Sequence, residues 1–395
     1  MRKIGIFGGT FNPIHNGHLN LVKSFCEKLN FDEVLLVPTN IPPHKENPTA
    51  TNSIHRLNMC KLAVEGLEKV SVSDIEFQRD EKSYTYVTVS LLKEKYPDSE
   101  FYLIMGSDMF LSLEKWYCYE KLKDMVVFCV ASREESQHEK LLSHAKTLEV
   151  NGAKTIVIRN DVLEISSTEI REKAMFLEDF SDLVPPKVFE YIKENNFYAL
   201  KEQTEIYKKI LEQRLTEKRY YHSLCVAESA VYLANKYGAN PNKAYFAGLL
   251  HDITKQEDDK TQLKILDSSA IICDDVEKVN KPLWHAITGA WYVENILRVN
   301  DREVIDAIRW HTEFRENATL LDKIIYLADF ISADRDYEDV DIMREKCEQS
   351  LEDGILYGLS YTIKDNAING KPIGVESIKA YNSILLKNKE KKNDL

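Results

Sequence analysis

The sequence predicts an α/β domain with a doubly wound parallel sheet, followed by an all-α domain. Short apolar runs alternate with helical patterns in the first half, as in strands covered by helices on both faces. After residue 205 the strand-like runs stop and helical periodicity continues to residue 386. A chain of 395 residues is also too long for one ordinary core. We expect one domain over 1–198, a linker over 199–204 and a second domain over 205–395.

The elements of the first half follow from the position of each apolar run. Strands are predicted at 4–7, 34–37, 70–72, 101–105, 126–130 and 155–158, and helices at 57–67, 86–96 and 139–148. Ligands of such sheets bind beyond the carboxyl ends of the strands. The residues that follow each predicted strand are therefore the first candidates for a functional site.

The segment IGIFGGTFNPIHNGHL, residues 4–19, predicts a strand, a tight loop and a helix start. Gly8 and Gly9 let backbone N–H groups approach a ligand, and a helix N-terminus attracts an anion such as phosphate. His15 and His18 fall on one helix face, where they can donate to phosphate oxygens. An isolated pair of this kind is more often a cap or a surface pair. The segment has neither the G-K-[ST] ending of a P-loop nor the G-x-G-x-x-G spacing of a dinucleotide site.

Three later stretches also follow predicted strands. Residues 42–45, PPHK, place an imidazole and a cation on a stiff loop. Residues 106–108, GSD, precede Trp116, whose aromatic face suits stacking on a flat ring. Residues 165–171, ISSTEIR, resemble a helix start with a capping box and an arginine in the first turn.

Composition narrows the class of protein. The net charge of −12 argues against a general nucleic-acid binder but permits a local basic pocket for phosphates. We expect no signal peptide and no membrane span, because no apolar segment precedes the first strand and no run reaches about 18 apolar residues. The seven cysteines are scattered without C-x-x-C spacing, which favours reduced thiols in a cytoplasmic protein. The sequence is compatible with a homo-oligomer.

The first 198 residues resemble the bacterial nicotinate-nucleotide adenylyltransferases. The shared motifs are GGTFNPIHNGH, PPHK, HRL at 55–57, SYT at 83–85, GSD, Trp116, Arg133, ISSTEIR and the closing LVPPKVFEYIKENNFY. The resemblance implies transfer of AMP from ATP to nicotinate mononucleotide, which gives deamido-NAD and pyrophosphate, with Mg²⁺ on the phosphates. Pantetheine phosphate is an alternative acceptor, but PPHK, Trp116 and ISSTEIR fit the nicotinate branch.

The resemblance also implies roles for individual residues. His15 and His18 would be catalytic, and the ATP-binding set would be Gly8, Gly9, Thr10, His15, His18, Gly106, Asp108, Ser167, Thr168 and Arg171. The nicotinate-nucleotide set would be His44, Lys45, Thr85, Trp116 and Arg133. Two departures from the family pattern are Tyr86-Val87-Thr88, where an Ile-Asp-Thr run is usual, and 131–135, where an Arg-Pro-Gly context is usual.

The second half concentrates histidine and aspartate residues in apolar surroundings. A single buried histidine among helices is usually a hydrogen-bonded core residue. An aspartate in the apolar helix 324–330 must instead be paired or bind a metal, because removing a carboxylate from water is costly. Mixed imidazole and carboxylate ligands suit iron, manganese or zinc better than calcium. The pattern therefore predicts a metal site.

Residues 205–385 contain the motifs RYYHS, GLLHDITK, WHAITGAW, AIRWHT and KIIYLADFI. In these motifs the segment resembles the HD superfamily, most closely the bacterial hydrolases that cleave diadenosine tetraphosphate to two ADP. The resemblance implies a centre of two divalent metals, with iron favoured and Mn or Zn as alternatives, bridged by a catalytic Asp252. The implied ligands are His222, His251, Asp252, His285, His311 and Asp329, and Lys255 and Arg335 would contact phosphate. The chain has Ile331-Ser332-Ala333-Asp334 where the family more often has a Pro-Gly pair.

The sequence thus favours a bifunctional enzyme whose substrates are ATP, nicotinate mononucleotide and diadenosine tetraphosphate. The alternative is an adenylyltransferase whose HD half senses nucleotides or cleaves another phosphorylated nucleotide.

Overall fold

A computed structural model describes residues 1–42, 52–79, 81–132, 135–159, 163–268 and 274–393. The chain divides into two compact units. The N-terminal unit comprises Met1–Ala174 and Glu178–Tyr198, and the C-terminal unit comprises Met175–Leu177 and Ala199–Leu395. No helix in the described ranges is long and apolar enough to cross a membrane.

The N-terminal unit is built on a parallel sheet of six strands in the order β3-β2-β1-β4-β5-β6. The strands are β1 (Arg2–Gly9), β2 (Glu33–Pro38), β3 (Val70–Val72), β4 (Ser99–Met105), β5 (Val126–Ser132) and β6 (Lys154–Arg159). The helices are α1 (Asn16–Leu29), α2 (Ser53–Val64), α3 (Thr85–Lys95), α4 (Ser107–Phe110), α5 (Tyr119–Leu122), α6 (Glu135–Val150), α7 (Ser167–Met175) and α8 (Pro186–Glu194). Short 3₁₀ turns lie at Ile75–Gln78 and Leu113–Lys115. The predicted α/β class is confirmed, and each predicted strand lies within an observed one.

Both faces of the sheet are buried, as the alternation of side chains along its strands requires. In β1, Ile4 and Ile6 belong to one hydrophobic cluster, whereas Phe7 belongs to the other. In β2, Leu35 and Leu36 divide between the clusters in the same way. All the strands are parallel, so their carboxyl ends lie at one edge of the sheet. The loops after β1, β2 and β4 therefore start close to one another.

The C-terminal unit is helical throughout the residues that the structure describes. Its helices are α9 (Leu200–Arg214), α10 (Glu217–Tyr237), α11 (Pro241–Leu250), α12 (Asp259–Ser268), α13 (Asp275–Val279), α14 (Lys281–Asn295), α15 (Arg302–Arg309), α16 (Leu320–Ile331), α17 (Val340–Gln349), α18 (Leu351–Ile368) and α19 (Val375–Asn393). The predicted all-α class is confirmed.

Several boundaries differ from the sequence expectation, and the helix predicted at 57–67 is observed at Ser53–Val64. The expected linker over 199–204 contains the first turn of α9, because buried Gln203, Tyr207 and Leu211 lie one turn apart and extend the packed face into this segment. At the other end, α19 continues past residue 386 to Asn393, consistent with the good helix propensity of lysine and glutamate.

Close packing of α10 against α11 fixes the backbone from which the central histidines and aspartates project. A Cβ atom added at Gly248 would lie 2.9 Å from the Ala227 Cα and 3.2 Å from the Val226 carbonyl oxygen. Only glycine fits there, because both neighbouring atoms belong to a helix backbone that cannot move aside.

We predict that Gly248→Ala lowers the free energy of unfolding of the C-terminal unit by about 2–3 kcal/mol, the cost of overpacking a tight contact. Urea unfolding followed by hydrogen exchange of peptides from α10 and α11 measures this. Gln213→Ala, at an exposed position of α9, is the control and should change the same quantity by less than about 0.5 kcal/mol. Equal stabilities of the two variants would contradict the packing argument.

Candidate functional sites

The first candidate site lies at the carboxyl end of β1. His15 is the residue before α1, and His18 lies in its first turn. Their rings stack with centroids 3.5 Å apart, and the edge of Phe11 packs against His18. The backbone N–H of His15 donates to His18 Nδ1 at 3.2 Å. Neutral His18 therefore carries its proton on Nε2, where it can donate to a ligand.

Burial keeps both imidazoles neutral. Burial lowers the pKa of His15 to about 4. Burial, and then the neighbouring His15, hold the pKa of His18 well below its usual range. The pair thus offers neutral hydrogen-bond donors beside a helix N-terminus.

The loop after β1 is held by side chains from distant parts of the N-terminal unit. Ser167 Oγ donates to the Pro13 carbonyl oxygen at 2.9 Å, and Arg171 donates to the Asn12 carbonyl oxygen at 2.8 Å. Arg171 also donates to Thr168 Oγ1 at 3.0 Å. Buried Arg56 donates to the Thr10 carbonyl oxygen at 2.5 Å. The structure therefore brings the predicted ISSTEIR residues to the glycine loop.

The glycines at this edge of the sheet differ in the space around them. A Cβ atom at Gly9 would lie 2.9 Å from the Phe11 ring, so a side chain would displace the ring beside His18. At Gly8 the nearest atom would be the Val37 carbonyl oxygen at 4.0 Å, and at Gly106 nothing lies within 4 Å. Gly8, Gly106 and Asp108 are exposed at the ends of the neighbouring strands β1 and β4. The open space beside them is where a ligand can approach the backbone.

The predicted nicotinate-nucleotide residues are only partly described. His44, Lys45 and Arg133 lie outside the described residues. Thr85 opens α3, and Trp116 ends a 3₁₀ turn. The residues next to them are in contact, with the centroids of the Tyr84 and Tyr117 rings 4.5 Å apart. No hydrogen bond or ring contact within the described ranges joins Thr85 or Trp116 to the two histidines.

The second candidate site gathers all six predicted metal ligands within the C-terminal unit. Three overlapping groups each have ligand atoms within 4.8 Å of one another: His222, His251 and Asp252; His251, His311 and Asp329; and Asp252, His285 and His311. Three helices, α10, α14 and α16, and the turns that follow α11 and α15 supply these residues.

Asp252 lies at the centre of this site. Its Oδ1 atom is 3.2 Å from His285 Nε2 and 3.8 Å from His311 Nε2, and its Oδ2 atom is 3.4 Å from His251 Nε2. Burial alone would raise the pKa of the Asp252 carboxyl group, but the imidazoles, His251 foremost, hold this pKa well below its usual range. An ionised, buried carboxylate among imidazoles is a strong cation ligand.

Hydrogen bonds to the protein orient the imidazoles. His251 Nδ1 donates to the Gly248 carbonyl oxygen, and His311 Nδ1 donates to the Ile308 carbonyl oxygen, each at 2.7 Å. The Nε2 atoms of these rings are therefore free of a proton when the rings are neutral. The buried Nε2 atoms of His222 and His251 each lie near a carboxylate oxygen, at 3.0 Å from Asp329 Oδ1 and 3.4 Å from Asp252 Oδ2, without hydrogen-bond geometry. His285 Nε2 and His311 Nε2 face each other at 3.1 Å. Imidazole nitrogens and a carboxylate brought together in this way fit a bound cation.

Three cationic side chains surround the carboxylates. Lys255 Nζ lies 4.0 Å from Asp252 Oδ1, and Arg335 forms an ion pair with Asp329. Arg219 NH1 donates to Asp252 Oδ2 at 2.8 Å. About a third of each of these cationic side chains is exposed (34%, 32% and 35% for Arg219, Lys255 and Arg335), whereas 3% of the Asp252 side chain is exposed. An anion approaching from solvent would therefore meet the cations first.

Sequence reasoning missed several of these residues. Arg219 precedes His222 by three residues, which puts both on one face of α10, and that spacing could have identified it. Arg56 belongs to the HRL motif, but its hydrogen bond to the Thr10 carbonyl oxygen depends on the tertiary fold. Asp334 accepts a hydrogen bond from His222 Nδ1 at 2.8 Å, and no local pattern indicates that contact.

Comparison with known proteins matches both sites to families. The family model described as cytidylyltransferase-like matches residues 6–173, and the HD domain model matches residues 219–334. A probable nicotinate-nucleotide adenylyltransferase from Bacillus licheniformis is 40% identical over 198 residues, which cover 50% of this chain and 99% of that protein. The chain belongs to the nicotinate-nucleotide adenylyltransferase family.

In this chain the adenylyltransferase is fused to an HD domain. A Mycoplasma genitalium protein described as a probable nicotinate-nucleotide adenylyltransferase/Ap4A hydrolase is 29% identical over 369 residues, which cover 91% of this chain and 97% of that protein. A Clostridium acetobutylicum crystal structure, described as a predicted HD superfamily hydrolase involved in NAD metabolism, is 32% identical, with a TM-score of 0.46, and the match covers 47% of this chain and 97% of that one. The chain is a nucleotidyltransferase joined to a metal-dependent hydrolase domain.

The low pKa of His15 makes the adenylyltransferase unit sensitive to acid. The unfolded chain takes up this proton near pH 6.5, whereas the folded chain takes it up only near pH 4. Above pH 6.5 the neutral His15 keeps its full contribution to the free energy of unfolding. As the pH falls to about 4, this free energy decreases by on the order of 3 kcal/mol.

We predict that His15→Gln removes the part of the pH dependence of the free energy of unfolding that comes from His15. Urea unfolding at pH 7 and pH 4, followed by hydrogen exchange of peptides from β1 and α1, gives the difference. The stability of the wild-type unit should fall more steeply with acid than that of the variant. Parallel pH profiles would show that His15 is not a neutral, buried group.

Proposed function

We propose that residues 1–198 transfer AMP from ATP to nicotinate mononucleotide, giving deamido-NAD and pyrophosphate. The observation that carries this proposal is the stacked His15–His18 pair at the start of α1, beside the glycine loop to which Ser167 and Arg171 are hydrogen-bonded. The resemblance of the whole unit to nicotinate-nucleotide adenylyltransferases supports the choice of acceptor.

The chemistry needs no covalent intermediate with the protein. An oxygen of the mononucleotide phosphate attacks the α phosphorus of ATP, a new P–O bond forms, and the bond to the bridging oxygen breaks to release pyrophosphate. His18 Nε2–H and His15 would donate to the α-phosphate oxygens as charge develops there. Gly8, Gly9 and Thr10 would bind the phosphates through the backbone, with Gly106 and Asp108 on the neighbouring strand.

The remaining assignments of this half follow the motifs. Ser167, Thr168 and Arg171 would hold the outgoing β and γ phosphates, with Mg²⁺ bound to the nucleotide. The nicotinate nucleotide would contact a second set of residues, His44, Lys45, Thr85, Trp116 and Arg133.

We predict that His18→Ala lowers kcat for deamido-NAD formation about 10²–10³-fold, the usual cost of removing a donor that stabilises charge in a transition state. Chromatographic assay with ATP, Mg²⁺ and nicotinate mononucleotide measures this. His144→Ala is the matched control, because His144 lies on α6 and packs against Phe110 rather than against the loop after β1. Activity of His18→Ala within threefold of wild type would refute this role.

We further propose that residues 205–395 hydrolyse diadenosine tetraphosphate to two ADP. The supporting observation is the cluster of His222, His251, Asp252, His285, His311 and Asp329, which includes the buried Asp252 carboxylate and has partly exposed cationic side chains beside it. The name of the Mycoplasma protein, which aligns over both halves, supports the choice of substrate.

In this reaction the oxygen of water forms a bond to one of the two inner phosphorus atoms, and the bond from that phosphorus to the central bridging oxygen breaks. Two divalent metals held by the six ligands, with Asp252 between them, would lower the pKa of water and neutralise charge on the attacked phosphate. Lys255, Arg335 and Arg219 would bind the phosphate chain. Iron is the favoured metal, with manganese or zinc as alternatives.

We predict that the full chain converts diadenosine tetraphosphate to ADP alone, and that Asp252→Asn lowers turnover at least 100-fold and loses bound metal. Nucleotide chromatography and elemental analysis of the same preparations test both. Asp365→Asn, which removes an exposed carboxylate on α18, should retain activity and metal.

Metal without turnover would favour the alternative of a nucleotide sensor or of another phosphorylated substrate. Products other than ADP, such as AMP with ATP, would exclude symmetrical cleavage.

A further inference from the structure

A four-residue turn, Ser332 to Arg335, follows α16 directly. The backbone N–H of Arg335 donates to the Ser332 carbonyl oxygen at 3.0 Å, which closes the turn. Arg335 Nε also donates to the Asp329 carbonyl oxygen at 2.8 Å. The turn therefore folds back onto the end of the helix that carries Asp329.

One side chain of this turn lies behind His222. Asp334 Oδ2 accepts a hydrogen bond from His222 Nδ1 at 2.8 Å. The other oxygen, Oδ1, accepts from Ser332 Oγ at 2.8 Å. Both oxygens of Asp334 are thus engaged, which fixes the carboxylate against the ring.

The opposite edge of the His222 ring faces Asp329. His222 Nε2 lies 3.0 Å from Asp329 Oδ1, and Arg335 forms an ion pair with that same oxygen. The two charged residues of the turn therefore act on the two members of the His222–Asp329 pair, Asp334 on the imidazole and Arg335 on the carboxylate.

We propose that Asp334 is a positioning residue that orients His222 as a metal ligand. We further propose that the Ser332–Asp334 hydrogen bond fixes this turn where related HD hydrolases more often have a Pro-Gly pair. The inference rests on the metal centre of the proposed function, and it assigns a role to a segment in which this sequence departs from the family pattern.

The physical basis is the effect of a carboxylate on the far nitrogen of an imidazole. Because Asp334 accepts the Nδ1 proton, Nε2 keeps its lone pair directed at the site. The negative charge also makes Nε2 a better electron donor. Loss of such a partner typically weakens metal affinity about 10–100-fold.

The test is Mn²⁺ binding to the full-length protein, with free Mn²⁺ measured by electron paramagnetic resonance. We expect Asp334→Ala to raise the Mn²⁺ dissociation constant about 10–100-fold. Asp334→Asn keeps an acceptor for His222 Nδ1 but loses the charge, so it should raise the Mn²⁺ dissociation constant by a smaller factor. Ser332→Ala should also raise the Mn²⁺ dissociation constant, but by less than Asp334→Ala does. Asp275→Asn, whose carboxylate is fully exposed on α13, is the control and should bind as wild type.

A double-mutant cycle separates positioning from general stabilisation. If Asp334 acts through His222, Asp334→Ala should cause no further loss of affinity in a His222→Ala background. Equal losses in both backgrounds would overturn the inference, as would Mn²⁺ binding by Asp334→Ala within threefold of wild type. Melting of EDTA-treated samples checks that each variant is folded, and if Asp334→Ala is not, the cycle is run with Asp334→Asn.

The outcomes also separate this inference from the proposed function. If the wild type binds no Mn²⁺ tightly, both the metal centre and the role of Asp334 are refuted. If the wild type binds Mn²⁺ and the Asp334 variants bind it equally well, the metal centre stands and only the positioning role fails.

Discussion

The burial of the Asp252 carboxylate among imidazoles is the constraint on which the C-terminal unit depends. With 3% of its side chain exposed, this charge cannot be compensated by water. The helices that pack around it and the turns after them supply His251, His285 and His311, and Arg219 and Lys255 flank it on the more exposed side. The close contact of α10 with α11 at Gly248 places this group, because the Gly248 carbonyl oxygen also orients His251.

In the adenylyltransferase unit, the polar groups that need protein partners are backbone carbonyl oxygens instead of a carboxylate. The loop after β1 leaves the sheet, so its carbonyl oxygens lack strand partners. Arg56, Arg171 and Ser167 donate to three of them. These hydrogen bonds hold the loop in place while Gly8 stays open to a ligand. A fixed loop with neutral histidines at its end is a preorganised environment for phosphate charge.

Much of this structure follows from local sequence patterns. Alternating apolar runs predict the six strands, since each run must cover both faces of a buried sheet. The positions of His15 and His18 at the start of α1 follow from the glycine loop and the spacing of three. Of the two hydrogen bonds that the capping box predicted at Ser166 requires, the structure shows the one from the Glu169 N–H to Ser166 Oγ.

Tertiary contacts account for what the patterns missed. The sequence marks Asp334 only as part of a departure from the family pattern, and its hydrogen bond with His222 forms because α16 packs against α10. Arg56 likewise reaches Thr10 across the fold. The extra turn of α9 within the expected linker depends on packing of Tyr207 and Leu211, which composition does not reveal.

We propose that the six gathered side chains hold metal ions on either side of Asp252. Anomalous diffraction from crystals of the full-length protein grown with Mn²⁺ locates these ions. We expect two anomalous peaks, both within coordination distance of Asp252, one shared with His222 and His251 or Asp329 and the other with His285 and His311. Peaks located elsewhere, or an ordered site without metal at saturating Mn²⁺, would refute a metal centre around Asp252.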